Sequence, residues 1–331
     1  MLMSFAACSA SPATTKAQSN APSEENVSDV KTTDDGDNKF LVGLAFGALD
    51  LTPQILSENI IAICKEKGWE YTMTNADQDP SKLLSDVESL CQLGCDVICV
   101  RGITDDSMTP VQEACKEAGI PLIALSVVDQ DGEYLTLCCD TTEAGADACA
   151  EWYAQYIQDH PDQEYNAGFV VGDYSYEAAL CRWTYVRDVE GSNELANGEA
   201  NWGAPNAMTL VEDWIKTYPE MNVIGSSSDE MTVGVIQALQ DAGKSPDDYI
   251  VMSYDALDIM QDYILEGWCD ASVGLDLEKH ARTVCDILQK VKDGDTSSVE
   301  KLTKAYSIWM CTSENLQGIL DGTAEKVYYE Y

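Results

Sequence analysis

Charged and hydrogen-bonding side chains recur where short apolar runs of the sequence end. These side chains are Asp50, Arg101, Ser126, Asp173, Ser228 and Asp255. A carboxylate accepts hydrogen bonds from two hydroxyl groups, and a guanidinium donates through a planar fork that suits vicinal hydroxyls or a carboxylate. The set is therefore suited to holding a small polar molecule.

Catalytic and metal-binding patterns are weak by comparison. Cys91, Cys95 and Cys99 are spaced four and four, but a structural zinc site needs close paired ligands. The DQDGE segment at 129–133 resembles part of a calcium loop and lacks the later bidentate glutamate. His160 and His280 stand near no serine or cysteine nucleophile pattern, and the sequence has no phosphate-loop or dinucleotide fingerprint. We expect no enzyme activity, no cofactor and no metal.

The elements that must position these residues follow from a repeating pattern. Apolar runs of strand length at 40–46, 69–75, 96–102 and 121–126 alternate with helix-like segments, and the alternation restarts after residue 140. Strands and amphipathic helices in alternation predict parallel sheets covered on both faces. The fold class expected is α/β, with two doubly wound parallel-sheet lobes. Ligands of such sheets bind beyond the carboxyl ends of the strands.

Composition excludes other functions. The chain has 331 residues, 45% of them hydrophobic, and no apolar run long enough to span a bilayer. Its formal net charge of -39 should repel phosphate backbones, so nucleic acid is a poor partner. The 13 cysteines favour free core thiols, because disulfide frameworks belong mainly to small domains; a disulfide framework remains the alternative.

The first residues, MLMSFAA followed by Cys8, resemble the end of a bacterial lipoprotein signal, which predicts a lipid on Cys8. Phe5 replaces the usual leucine, and the charged start of a signal peptide is missing. The alternative is an unstructured start in which Cys8 occurs by chance. Residues 9–38 are polar and predict a flexible tether.

Three segments resemble a known family. They are GIPLIAL at 119–125, SSDEMTVGVIQALQDAGK at 227–244 and VMSYDA at 251–256. The body, from residue 39 to about 311, resembles the type I periplasmic substrate-binding proteins of ABC sugar importers, most closely their ribose-binding members. The resemblance implies a monomer of two lobes that closes on its ligand and docks on permease subunits. It implies hinge crossings near 139–140, 275–276 and 305–308.

The lobes expected from these crossings are residues 39–140 plus 276–306, and 141–275 plus 307–331. Residues 1–38 would tether the body to the outer face of the membrane. In the second lobe the resemblance implies that Arg182 and Asp255 bind ligand hydroxyls and that Trp202 stacks on a sugar ring. Ser228 stands where the family usually has asparagine.

The first lobe departs from the family's ribose-binding set. The positions concerned carry Asp50, Thr52, Pro53, Arg101, Ser126, Val127 and, near the second hinge, Leu275. Arg101 with Arg182 indicates an anionic ligand such as a sugar acid, whereas Asp50, Asp173 and Asp255 favour a polyol or a cation.

A sensory lipoprotein of the same fold is the alternative to an importer subunit, and a repressor would need a helix-turn-helix before residue 39.

Overall fold

The structure is a computed structural model that describes residues 39–126, 132–140, 142–305 and 307–329. The predicted lipidation site Cys8, the predicted tether and Val127 therefore lie outside the described residues. In chain order the elements are β1 (Leu41–Phe46), α1 (Leu51–Lys67), β2 (Glu70–Asn75), α2 (Pro80–Leu93), β3 (Val97–Arg101), α3 (Asp105–Ala118), β4 (Leu122–Ala124), β5 (Thr136–Cys138), α4 (Thr142–Asp159), β6 (Tyr165–Val171), α5 (Glu177–Arg187), β7 (Ser192–Glu199), α6 (Ala204–Thr217), β8 (Val223–Ser226), α7 (Asp229–Asp241), β9 (Ile250–Asp255), α8 (Asp258–Leu265), β10 (Ala271–Leu275), α9 (Leu277–Lys292), β11 (Leu302–Thr303), β12 (Ile308–Thr312) and α10 (Ser313–Leu320).

The strands of the described chain form two six-stranded sheets. The first has the order β11-β5-β4-β3-β1-β2 and the second has the order β12-β10-β9-β8-β6-β7. Neighbouring strands are parallel, except that β12 runs antiparallel to β10. The predicted fold class is confirmed.

Each central strand is buried on both faces, as its apolar run predicts. In β1, the side chains of Val42 and Leu44 pack with Ile60 of α1 and the buried face of α9. Ala45 points to the other face and packs with Leu83 of α2. Successive side chains of a strand point to opposite faces, so one short run serves two helix layers.

The described chain passes between the sheets three times, after β5, after β10 and after β11. The three connections touch one another. The Asp140 carboxylate accepts from the Ser307 backbone N–H at 2.8 Å, and the Asp276 N–H donates to the Ser307 carbonyl at 2.9 Å. These contacts lie where the hinge crossings were expected, and the lobe boundaries stay a prediction.

Local details differ from the sequence pattern. Thr52 and Pro53 have the residue types of an N-cap and a first helical position, but helix α1 begins at Leu51 with Asp50 as its N-cap. Every cysteine in the described ranges is a free thiol. Within those ranges no helix is long and apolar enough to cross a membrane, and no cluster of potential ligands could hold a metal ion.

Candidate functional site

A cavity lies between the carboxyl ends of the two sheets. It encloses about 790 Å³ of space, open solvent at its mouth included. Its lining residues are Ala48, Asp50, Thr52, Gln78, Arg101, Gly102, Ile103, Asp173, Tyr176, Arg182, Trp202, Ser228, Asp255 and Leu275.

The structure places the predicted site residues around one cavity, with the exception of Ser126. All of them except Ser126 line this cavity. Ser126 lines an adjoining cavity on the hinge side, which Arg101, Arg182 and Leu275 also border. The shared walls make the two cavities parts of one cleft.

Arg182, on α5, is the most constrained cation of the cleft. Its guanidinium carbon lies 3.8 Å from the centre of the Tyr254 ring and 5.8 Å from that of Trp202. Nη1 donates to the Ser227 carbonyl at 2.6 Å and lies 3.8 Å from Oδ1 of Asp255. Nε is buried and has no partner among the described residues. The Arg182 guanidinium is thus held in place and still has N–H groups that can donate to a ligand.

Asp255 ends β9 and is 5% exposed. Burial raises the pKa of its carboxyl above the usual range, and the Arg182 charge opposes that shift. Asp50 raises the pKa further, while a hydrogen bond from Thr52 and the charge of Arg101 lower it. These last three groups belong to the first sheet and its helix α1, so the Asp255 carboxylate interacts with groups on both sides of the cleft.

Trp202 is presented by the loop between β7 and α6. Its φ is 59°, a left-handed conformation that residues other than glycine rarely adopt. The indole lies over Gly172, where an added Cβ would come within 2.4 Å of the ring. Tyr176 meets the indole edge to face, with ring centres 6.1 Å apart. This aromatic surface can pack against the C–H face of a ring-shaped ligand.

Asp50 is an N-cap residue whose side chain makes no capping hydrogen bond with a described residue. Its Oδ1 is buried and has no described partner, and the same holds for Oγ of Ser126. Asp79 caps α2 in the usual way, accepting from the N–H groups of Ser81 and Lys82. Buried polar atoms are nearly always paired, so water or a ligand must supply these partners.

The remaining predicted residues differ in how they are engaged. No hydrogen bond or ion pair joins the Arg101 guanidinium to another residue in the described ranges. Asp173 accepts at 2.7 Å from the N–H and from the hydroxyl of Ser175, and Ser228 accepts from Met231 N at 3.3 Å as the cap of α7. Arg101 is therefore available to a ligand, whereas Asp173 and Ser228 already have local roles.

Sequence reasoning missed Gln78, Tyr176 and Tyr254. Gln78 lies in the loop after β2 with φ of 63°, and Tyr254 stacks beneath Arg182. The position of Tyr254 directly before Asp255, at the carboxyl end of β9, was the available signal, because ligands of parallel sheets bind beyond the carboxyl ends of the strands. Tyr176 and Gln78 lie in loops, where no periodic pattern identifies a site residue.

Comparison with known proteins decides the family. A model of the periplasmic binding protein domain matches residues 53–296, which is most of the chain and includes strands of both sheets. The chain belongs to the periplasmic binding protein family. This confirms the resemblance found in the sequence.

Relatives of the chain include solute-binding proteins of bacteria. A protein of Rhizobium meliloti named as rhizopine-binding is 25% identical over 69% of this chain and 76% of its own. A ribose import binding protein of Bacillus subtilis is 23% identical over 68% of this chain and 73% of its own. The structure of an ABC transporter solute-binding protein from Bacillus halodurans with bound myo-inositol superposes with a TM-score of 0.77 and 21% identity, covering 88% of this chain and all of that one.

Proposed function

We propose that the chain captures a sugar or a cyclic polyol in the cleft and delivers it to the membrane subunits of an ABC importer. The observation that carries the proposal is the arrangement of Arg182, Trp202 and Asp255 around one cavity. A fixed donor fork, an apolar ring face and a buried acceptor match the hydroxyl edge and C–H face of such a ligand.

The charges of the cleft favour an uncharged ligand. Asp255 lies beside Arg182, and the first-sheet side contributes both Arg101 and Asp50. Cations and carboxylates thus line both sides of the cavity, which suits hydroxyl groups because each hydroxyl both donates and accepts. The relative named for ribose import and the structure holding myo-inositol support this ligand class.

A lipid on Cys8 would hold the body at the outer face of the membrane. The lipoprotein-like segment before Cys8 and the polar stretch at 9–38 support this part of the proposal. We expect the chain to partition into a detergent phase when made in a bacterium that lipidates its own lipoproteins. The Cys8→Ala variant should remain in the aqueous phase, and equal partitioning of the two would refute the anchor.

A thermal-shift screen tests the ligand class. D-Ribose, D-galactose, L-arabinose, xylitol, myo-inositol and D-gluconate would each be added to the unaltered protein. A ligand at about 100 times its Kd stabilises by about 2.7 kcal/mol, which raises Tm measurably. Asp255→Ala and Arg182→Ala should lose the shift, while Arg187→Ala, which removes an exposed arginine paired with Asp188, should keep it. A shift retained in both site variants, or no shift with any neutral compound, would refute the proposal.

A further inference from the structure

Asp229, the first residue of α7, is 0% exposed and lies behind the cavity, outside its lining. Its carboxylate accepts from three donors: the Ser253 hydroxyl, the Ser272 hydroxyl at 2.9 Å and the Leu257 N–H at 2.6 Å. Burial and the neighbouring Asp255 charge raise the pKa of Asp229, and these hydrogen bonds oppose that shift. A buried carboxylate with this many partners has a specific structural task.

The donors hold the turn that carries Asp255. Leu257 donates directly to Asp229, and the Ala256 N–H donates at 3.0 Å to the Ser272 hydroxyl, which in turn donates to Asp229. Asp255 and Ala256 have φ angles of 111° and 46°, which residues other than glycine rarely adopt. Such a turn persists only when its surroundings hold it.

The same network reaches a second cavity residue. The Ser253 hydroxyl lies 2.7 Å from the Thr232 hydroxyl, whose oxygen lies 2.9 Å from the Ser228 carbonyl oxygen. Because Ser253 donates its proton to Asp229, the single Thr232 proton is shared between Ser253 and the Ser228 carbonyl. Ser228 follows β8, Asp255 ends the neighbouring strand β9, and both residues line the cavity. Asp229 thus connects two strand ends from within the core.

We propose that Asp229 is a positioning residue, which holds the Asp255–Leu257 turn so that the Asp255 carboxylate faces the ligand. The proposal rests on the proposed function only in naming the ligand's contact. An asparagine at this position would keep one acceptor oxygen, enough for the Leu257 N–H but not for all three donors. An alanine would leave that N–H buried and unpaired.

Hydrogen exchange of the ligand-free protein tests whether Asp229 holds the turn. We expect the amides of Ala256 and Leu257 to exchange about tenfold faster or more in Asp229→Ala, with a smaller effect in Asp229→Asn, because opening the turn should cost less. Asp270→Asn is the matched control, since the Asp270 carboxylate accepts from Val251 N at 2.8 Å at the other end of β9. Unchanged exchange at Ala256 and Leu257 in the Asp229 variants would overturn the proposal.

A double-mutant cycle tests whether Asp229 acts on binding through Asp255. The probe is the compound that gives the largest shift in the screen above. It is titrated by calorimetry under conditions in which every variant is fully folded. Asp229→Ala should weaken binding about tenfold, or ~1.4 kcal/mol, in the unaltered background and less than about twofold in the Asp255→Asn background. Equal weakening in both backgrounds would show a general structural effect and overturn the proposal.

The proposal remains testable if one variant does not fold or if the screen finds no ligand. If Asp229→Ala does not fold, Asp229→Asn carries both measurements, with weakening of about threefold expected in the cycle. If no compound binds the unaltered protein, the proposed function fails, and the exchange of Ala256 and Leu257 alone decides whether Asp229 holds the turn. The two claims can thus fail separately.

Discussion

Cavity residues Gln78, Trp202 and Asp255 hold φ angles of 63°, 59° and 111°. Each such residue costs about 1–3 kcal/mol and persists only where neighbouring structure fixes it. The Asp229 hydrogen bonds fix the turn after Asp255, and the absent side chain of Gly172 leaves room for the Trp202 indole. The strain is therefore concentrated where side chains are aimed at the cleft.

Ligand affinity should depend on pH through Asp255. Its pKa is raised by burial, and we expect ligand hydroxyls to donate to the ionised form. Affinity should then be highest at pH values above that raised pKa and fall as the pH drops through it, because protonation removes acceptor capacity. Calorimetric titration of the screened compound at about pH 8 and about pH 5 measures this, with a weakening of about tenfold per pH unit at most below the pKa.

The Asp255→Asn variant is the control for this pH dependence. An amide does not titrate, so the variant should bind weakly and with little change between the same two pH values. Affinity in the unaltered protein that rises toward acid pH would contradict the role assigned to the Asp255 carboxylate.

The sequence could predict most of the cavity's charged residues because they follow recognisable strands. Arg101 and Asp255 each end a buried apolar run, and parallel strands bring such ends to one edge. Asp229 could not be found in this way, since its role depends on Ser253, Ser272 and Leu257, which become its partners only through folding. Ser126, which the sequence groups with these residues, lines the adjoining cavity of the same cleft.

Helices α6 and α7 pack unusually closely, and one glycine permits it. A Cβ added to Gly234 of α7 would lie 2.1 Å from the carbonyl oxygen of Ala204 at the start of α6. That contact is with backbone, which cannot move aside as a flexible side chain can. Because α6 begins two residues after Trp202, the packing also fixes the loop that presents the indole.

Gly234→Ala should therefore destabilise the protein, although alanine is favoured over glycine by about 1 kcal/mol within a helix. We expect a loss of about 1–3 kcal/mol from the overpacked contact, measured as the free energy of unfolding in urea. Gln237→Ala, an exposed change on the same helix, is the control and should alter stability by at most about 0.5 kcal/mol. Unchanged stability in Gly234→Ala would mean that the helices can separate at no cost.

Some elements were not predictable from local pattern. Strand β7, SNELANGE, is a polar edge strand next to β6, and it lacks the apolar run that identifies the central strands. The short strands β5 and β11 pair with each other across the long sequence separation between Leu137 and Leu302. Their pairing is set by the assembled sheet, because two or three residues carry too little periodicity to predict a strand.

At the scale of the described chain, two sheets are joined by three connections, and residues near the C-terminus contact the structure beside them. The Tyr328 hydroxyl donates to the Asp276 carboxylate, and the Lys279 ammonium lies 3.8 Å from the centre of the Tyr328 ring. The Tyr329 N–H donates to the Ile308 carbonyl at 2.9 Å. Residues of β12 and of α9 are thus tied beside the connections between the two sheets.

An X-ray structure of the protein crystallised with the compound that gives the largest thermal shift would show whether a hydroxyl-rich molecule binds between the two sheets. We predict electron density for one molecule with its C–H face against Trp202 and its hydroxyl oxygens within about 3 Å of Asp255 and Arg182. Density for the compound elsewhere on the protein, with only water between Trp202 and Asp255, would contradict it.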